Sequence, residues 1–198
     1  MQDKSATLAA LIGSRICHDL ISPIGAISNG LELLDLTGAA EGPEFDLIAD
    51  SVGNAGAKIR FLRIAFGAAS DQMLGASEIR SIVRDLWQNS RVSATWHPDQ
   101  PLSRADVRLA FLAMQCCEAA LPYGGQIDTR QTDTGLIVSG LGETVNCDDT
   151  LWQPLADTRP PEPVSAAAVQ FALLPLHATT AGRPLTVQRG DTGVTIAY

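Results

Sequence analysis

Apolar residues recur at helical spacing along the first third of the chain. Between residues 8 and 36 they are separated by three, four or seven positions, which predicts one long amphipathic helix. These residues are Leu8, Ile12, Ile16, Leu20, Ile27, Leu31 and Leu34. The pattern repeats over residues 44–67, at Leu47, Ile48, Val52, Ala55, Ile59, Leu62 and Phe66.

Residues 37–43 separate the two helical patterns and read TGAAEGP. A glycine after one helix and a proline before the next predict an antiparallel helical hairpin. Two helices bury little apolar surface by themselves, and the second also carries small residues at Gly53, Ala55, Gly56 and Ala57. We therefore expect a homodimer whose two hairpins form a four-helix bundle.

Beyond residue 72, segments with helical spacing of apolar residues alternate with segments in which every second residue is apolar. Such an alternation of helices and strands is typical of an α/β domain. Helices are predicted over 77–89, 103–121 and 166–178, and strands over 91–96, 126–131, 135–139, 185–188 and 193–197. Ser103 and Asp106 have the spacing of a capping box at the start of the second of these helices. The sequence thus predicts two domains, residues 1–71 and 72–198, with a proline-rich loop at 159–164.

Composition narrows the functions that such a chain can have. It has 198 residues, 45% of them hydrophobic, and a net charge of −8. No basic run is present, so nucleic-acid binding is disfavoured, and no stretch has the apolar length of a membrane span. The first residues lack the pattern of a signal peptide, which favours the cytoplasm. The four cysteines and three histidines show no metal-ligand spacing, so we expect no metal site and free, buried or partly buried thiols.

His18 is the main candidate for chemistry. Residues 17–24 read CHDLISPI, and a histidine followed by an acid and, five positions on, by a proline is a known phosphoacceptor arrangement. At about 100° per residue, His18 points about 200° away from Ile16 and Leu20, outside the apolar stripe. Its own face carries small and polar residues: Ser14, Arg15, Ser22, Gly25 and Asn29.

Pro23 strengthens this interpretation if the helix continues through it. A proline inside a helix frees the carbonyl four residues earlier, here that of Asp19, beside the histidine. The alternative is that His18 is an ordinary surface histidine and that Pro23 ends a shorter helix.

The order of these elements resembles the two-component histidine kinases, in which a hairpin with His-acid-x-x-x-Pro precedes an ATP-binding (Bergerat-like) α/β sandwich. Residues 112–127, LAMQCCEAALPYGGQI, resemble the kinase segment in which an asparagine holds magnesium, but Cys116 occupies that place. Residues 138–142, VSGLG, lack the aspartate of the kinase Asp-x-Gly-x-Gly box, and residues 164–169, VSAAAV, lack the glycines of its lid. The resemblance therefore implies a degenerate sandwich that binds neither ATP nor another cofactor.

A preserved hairpin with a degenerate second domain is similar to the ChpT-like histidine phosphotransferases of alphaproteobacteria. Residues 11–23, LIGSRICHDLISP, carry that resemblance. It implies a dimeric phosphorelay protein that takes phosphate on His18 from the receiver domain of a hybrid histidine kinase. The phosphate then passes to response regulators, including cell-cycle regulators of the CtrA type, while the receivers supply magnesium.

The resemblance also implies roles for individual residues. His18 is the nucleophile, and Asp19 orients its ring or favours its protonated form. Arg15, Ser22 and Asn29 are candidates for partner docking or phosphoryl contact, and Arg15 is the strongest because a guanidinium pairs well with phosphate. Two other functions fit the sequence: a divergent ATP-dependent histidine kinase, or a dimeric scaffold or kinase inhibitor that carries no phosphate.

Overall fold

The computed structural model describes residues 2–37, 42–67, 70 and 72–198. The helices in this part of the chain are α1 (Gln2–Thr37), α2 (Pro43–Ala65), α3 (Ala76–Trp87), α4 (Arg104–Ala119), α5 (Asp149–Ala156) and α6 (Val169–Thr180). Its strands are β1 (Met73–Leu74), β2 (Val92–Trp96), β3 (Leu102–Ser103), β4 (Gly125–Gln131), β5 (Leu136–Leu141), β6 (Thr186–Arg189) and β7 (Gly193–Ala197). None of these helices combines the length and apolar composition needed to cross a bilayer.

The predicted helical hairpin is confirmed. The helix α1 runs through Pro23 to Thr37 and packs along α2, so the alternative in which Pro23 ends a shorter helix is wrong. Residues 38–41 of the predicted turn, and residues 68, 69 and 71 next to the predicted domain boundary, lie outside the described residues. Several members of the apolar stripes, including Leu31 and Val52, are exposed on the single chain.

A five-stranded sheet forms one layer of the second domain. Its strand order is β2-β4-β5-β7-β6, with a parallel β2–β4 pair and antiparallel pairs elsewhere. Alternate residues of β5 and β7, such as Val138 and Ile196, are buried, because one face of the sheet packs on helices. This layout confirms the predicted α/β sandwich behind a helical hairpin.

The helix α4 lies at the centre of the domain and is buried almost throughout, between the sheet and the helices α2 and α6. Ser103 caps its first turn by accepting a hydrogen bond from the Asp106 backbone N–H, so the predicted start of this helix is confirmed. The second contact of the pair runs from Ser103 Oγ to Asp106 Oδ2 at 2.7 Å, so the reciprocal side-chain-to-backbone bond of a full capping box stays a prediction. The three tryptophans of the chain, Trp87, Trp96 and Trp152, are buried in the core.

Four details differ from the sequence predictions. The helix α5 and the short β1–β3 pair were not predicted, and the last helix begins with a 3-10 turn, Ala166–Ala168, before α6. The eight residues of α5 include Pro154 and are too few to establish a periodicity. Cys17 is exposed, whereas the cysteines were expected to be at least partly buried. It lies next to His18 and outside the buried stripe of α1.

The last turns of α2 attach the hairpin to the second domain. The ring of Phe61 stacks on Phe111 of α4, with centroids 4.4 Å apart, and meets the edge of Trp87 at 5.5 Å. Arg104 donates to the Arg63 carbonyl, and Arg108 donates to the Ile64 carbonyl at 3.3 Å and the Gly67 carbonyl at 2.7 Å. These carbonyls lie at the helix end, where they have no partner inside the helix and where cations are favourable.

We expect Phe61→Ala to lower the free energy of unfolding by about 3 to 5 kcal/mol, because the side chain is 1% exposed and truncation leaves a cavity at this junction. Urea denaturation measures the change. Tyr123→Ala is the control, since this aromatic residue is 82% exposed and its loss should cost within about 0.5 kcal/mol. Equal losses for the two variants would contradict the importance of the junction.

Candidate functional site

His18 lies near the middle of α1 with its imidazole in solvent. Its side chain is 86% exposed, whereas Ile16 and Leu20 on either side are half-buried. The prediction that His18 falls outside the buried stripe is therefore confirmed. An imidazole in this position can be reached by another protein without rearrangement of the helix.

Asp19 contacts the histidine ring at one nitrogen. The carboxylate oxygen Oδ1 lies 3.3 Å from His18 Nδ1, which favours the tautomer in which Nδ1 carries the proton and donates a hydrogen bond to Asp19. Nε2 is then the nitrogen with a free lone pair. The carboxylate is only 18% exposed, so Asp19 is not a freely solvated acid.

Pro23 leaves the Asp19 carbonyl without its partner inside the helix, and Lys58 of α2 takes that place. Lys58 Nζ donates to the Asp19 carbonyl at 3.1 Å. This contact offsets part of the cost of a proline within the helix and brings a cation from the second helix close to the histidine. Sequence reasoning missed Lys58. The chain has only two lysines, and this rarity was the one feature of the sequence that could have drawn attention to Lys58.

Arg15 connects the same carboxylate to the second domain. Its Nε donates to Asp19 Oδ2 at 2.8 Å, and its Nη1 donates to the Ala167 carbonyl at 2.6 Å. The same Nη1 lies 3.4 Å from Gln170 Oε1. Asp19 therefore faces His18 with one oxygen and Arg15 with the other.

Ser22 and Asn29 are both exposed on α1. Ser22 is one turn beyond His18 and lines an open cleft between the hairpin and the end of α3. Asn29 is eleven residues beyond His18, about 16 Å along the helix at 1.5 Å per residue. The two residues thus share the solvent side of α1 with His18, but only Ser22 is close to it. Their predicted part in docking or phosphoryl contact stays a prediction.

A cavity of about 290 Å³ lies behind this network, between the hairpin and the helices α3 and α4. Its lining includes Arg15, Lys58 and Glu118. Burial raises the pKa of Glu118, although its carboxylate accepts a hydrogen bond from Trp87 Nε1 at 3.1 Å. The buried side-chain oxygen of Gln115 has no hydrogen-bond partner among the described residues. Sequence reasoning did not single out either of these α4 residues.

Cys116, which takes the place of a magnesium-holding asparagine in the kinase resemblance, is fully buried. Burial raises its pKa well above the usual value, which keeps the thiol neutral, and a neutral thiol is a poor ligand for magnesium. Within the described ranges, no cluster of three or more histidine, cysteine or acidic side chains could hold a metal ion.

Comparison with known proteins connects this geometry to a family. Residues 76–193 match the family model described as the histidine phosphotransferase C-terminal domain. The chain belongs to the histidine phosphotransferase family. Its relationship to other members extends beyond the matched domain and includes the helix that carries His18.

A curated relative is the protein phosphotransferase ChpT of Brucella abortus (strain 2308). It is 33% identical over 187 residues, which cover 91% of this chain and 89% of the relative. Among solved structures, a bacterial phosphotransferase determined at 1.7 Å aligns with a TM-score of 0.78 and 31% identity, covering 96% of this chain and 95% of that one. The predicted resemblance is confirmed, and so is the predicted fold class of a helical hairpin followed by an α/β sandwich, whereas the dimeric four-helix bundle stays a prediction.

We expect Glu118→Gln to stabilise the protein increasingly as the pH rises above about 4.5. Because burial raises the pKa of Glu118 in the folded chain, the folded state keeps the carboxyl proton at pH values where the unfolded state has released it. The free energy of unfolding of the wild-type protein therefore falls as the pH rises from about 4.5 through the folded-state pKa. The glutamine side chain keeps an oxygen that accepts the hydrogen bond from Trp87, but it has no carboxyl group to ionise.

Urea denaturation between about pH 4 and pH 8 tests this expectation. The gain in the free energy of unfolding should be smallest at the acidic end and largest at pH 8. Glu143→Gln, at an exposed position, serves as the control and should show no such trend. A gain for Glu118→Gln that does not change with pH would show that ionisation is not its cause.

Proposed function

We propose that this phosphotransferase carries phosphate on His18, taking it from the receiver domain of a hybrid histidine kinase and passing it to response regulators. The observation that carries the proposal is the exposed His18 ring with Nδ1 beside the Asp19 carboxylate and Nε2 directed away from that contact. Membership of the family and 33% identity to ChpT support the same chemistry.

The reaction requires one nucleophilic atom from this chain. The Nε2 lone pair attacks the phosphorus of the receiver's aspartyl phosphate, so the N–P bond forms as the acyl O–P bond breaks and the receiver's carboxylate leaves. Nδ1 keeps its proton, and the Asp19 carboxylate stabilises the positive charge that grows on the ring. An aspartate of a second receiver then displaces the phosphoryl group from Nε2, which restores the neutral imidazole.

Phosphoryl transfer depends mainly on positioning and on neutralising the charge of the phosphoryl oxygens. We assign the charge neutralisation to the magnesium ion and basic side chains of the receiver, so this chain needs no cofactor of its own. The receivers of such a relay lie in the cytoplasm, where we place this protein. Response regulators of the CtrA type, which act in the cell cycle, are the acceptors that we propose.

Docking of a receiver would use the polar face around His18. Ser22 and Gly25 are exposed and lie one and two turns beyond the histidine. Small side chains there let a globular partner approach the ring closely, and Asn29 offers a polar contact farther along the helix. With small residues near the ring and the polar contact farther away, the His18 nucleophile stays accessible from one side of α1.

The opposite side of the hairpin supports a homodimer. Phe45, Val52 and Ile59 of α2 are spaced by seven residues, as are Ile24 and Leu31 of α1, and all five side chains are more than half exposed. Apolar positions with a period of seven are typical of helices that pack in bundles. Ile24 and Leu31 lie about 120° and 140° around the helix from His18, so a second copy on this seam leaves the histidine free.

We expect a phosphorylated receiver domain to transfer acid-labile label to the wild-type protein and not to His18→Ala. The exposed ring makes few contacts, so the variant should keep the wild-type stability within about 0.5 kcal/mol. Radiolabel transfer from receivers of hybrid kinases of the same genome measures this step, with ATP alone as the control. Label from ATP alone would identify a kinase, and transfer to His18→Ala would exclude His18 as the acceptor.

We expect Leu31→Glu to convert the homodimer to a monomer, because it places a charge in the apolar seam. Leu36→Glu is the matched control: it makes the same change at an exposed leucine of α1, but about 140° around the helix from Leu31. Sedimentation equilibrium of the three proteins gives their masses. A monomeric wild type, or dissociation by Leu36→Glu alone, would contradict the seam.

A further inference from the structure

The contact between Arg15 and the second domain joins residues that are far apart in sequence. Arg15 lies on α1, one turn before Asp19, and its hydrogen-bond acceptor Ala167 is 152 residues later, in the 3-10 turn that precedes α6. Gln170, whose side-chain oxygen is 3.4 Å from Arg15 Nη1, is itself buried at the start of α6. A continuous series of polar contacts therefore runs from this turn through Arg15 and Asp19 to His18.

The guanidinium suits this bridge because it presents several donors in one rigid plane. Nε meets the Asp19 carboxylate while Nη1 meets the Ala167 carbonyl, so the two acceptors lie on different edges of one group. Only about a fifth of each side chain is exposed, which reduces screening of the Arg15–Asp19 pair by solvent. A lysine in this place would supply one point charge and could not hold both acceptors with the same geometry.

The Asp19 side chain is restrained in consequence. Arg15 holds Oδ2, and Oδ1 is left facing His18 Nδ1 at 3.3 Å, while Lys58 holds the backbone carbonyl of the same residue. Without Arg15 the carboxylate can rotate about its side-chain bonds and leave the ring. The preferred tautomer of His18 would then lose its support.

We propose that Arg15 is a positioning residue through which the second domain sets the orientation and tautomer of the His18 ring. The role rests on the proposed function, in which Nε2 attacks the phosphoryl group. It gives the degenerate domain a part in the reaction that requires no nucleotide: the turn before α6 anchors Arg15, Arg15 anchors Asp19, and Asp19 keeps the proton on Nδ1.

Transfer kinetics separate positioning from docking. For Arg15→Gln we expect the maximal rate of phosphoryl transfer from a saturating phosphorylated receiver domain to fall about tenfold or more, because small misplacements of reacting groups are costly. The receiver concentration that gives half the maximal rate should stay unchanged. If Arg15 instead contacts the receiver, that concentration rises and the maximal rate is preserved, which would overturn the proposal.

A spectroscopic measurement tests the same step without a partner. In the wild-type protein, the ¹⁵N resonances of the His18 ring should indicate a proton on Nδ1 at a pH where the ring is neutral. Arg15→Gln should move both resonances towards those of an unrestrained histidine side chain, in which the two tautomers exchange. Unchanged resonances in a folded variant would overturn the proposal whatever the kinetics show.

Arg60→Gln is the matched control. Arg60 lies on α2 and also joins the hairpin to the second domain: its Nη2 donates to Asp85 Oδ2 of α3 at 2.9 Å. It has no hydrogen bond to Asp19 or His18. We expect it to leave the maximal rate and the His18 resonances unchanged. An equal effect of Arg60→Gln would show that any loosening of the two domains is sufficient, and would overturn the specific role of Arg15.

Arg15→Lys examines the bridge itself, since it keeps the charge and most of the side-chain length. We expect its maximal rate to remain below that of the wild type, and full rescue would show that charge alone suffices. If neither wild type nor variants accept phosphate, the proposed function fails. The ring resonances would still show whether Arg15 holds the tautomer.

Discussion

The last turns of α2 fix where everything else in the molecule lies. The face-to-face contact of Phe61 with Phe111 aligns α2 with the central helix of the second domain, and Arg104 and Arg108 occupy the carbonyls at its end. The aromatic contact sets the distance between the helices, and the arginines set where α2 stops. Because α1 packs along α2, this junction also places the helix that carries His18 beside the turn that precedes α6.

The candidate site is small, and that agrees with the proposed chemistry. In the proposed reaction, a phosphoryl group already activated on a receiver needs an accessible lone pair and a carboxylate that faces the developing charge. His18 and Asp19 meet these needs within two consecutive residues of one helix. The supporting residues come from elsewhere: Lys58 from the second helix and Ala167 from the second domain. The chain thus uses a large scaffold to hold a very short reactive segment.

Local features of this site could be predicted from the sequence, and its long-range contacts could not. Helical periodicity places His18 outside the buried stripe, and the chemistry of proline identifies the freed carbonyl of Asp19. The partner of that carbonyl, Lys58, is 39 residues away, so its identity depends on the register of the hairpin. Arg15 was singled out for its affinity for phosphate, but its contact with Ala167 follows from the packing of two domains, which no local pattern encodes. The helix α5 was missed because eight residues with an internal proline give no clear period.

Two glycines of the second domain match a nucleotide-binding motif but have a structural explanation. Gly140 and Gly142 occupy the glycine positions of the Asp-x-Gly-x-Gly resemblance, in a segment that lacks the aspartate. A Cβ at Gly140 would lie 3.1 Å from the Cβ of Cys117, and one at Gly142 would lie 2.9 Å from a methyl group of Leu121. Both glycines therefore fit the close approach of β5 and the loop after it to α4 and the segment that follows, where a Cβ would be crowded. A motif search that takes such glycines as evidence of a nucleotide-binding site would therefore match this chain, although here the glycines reflect close packing against neighbouring side chains.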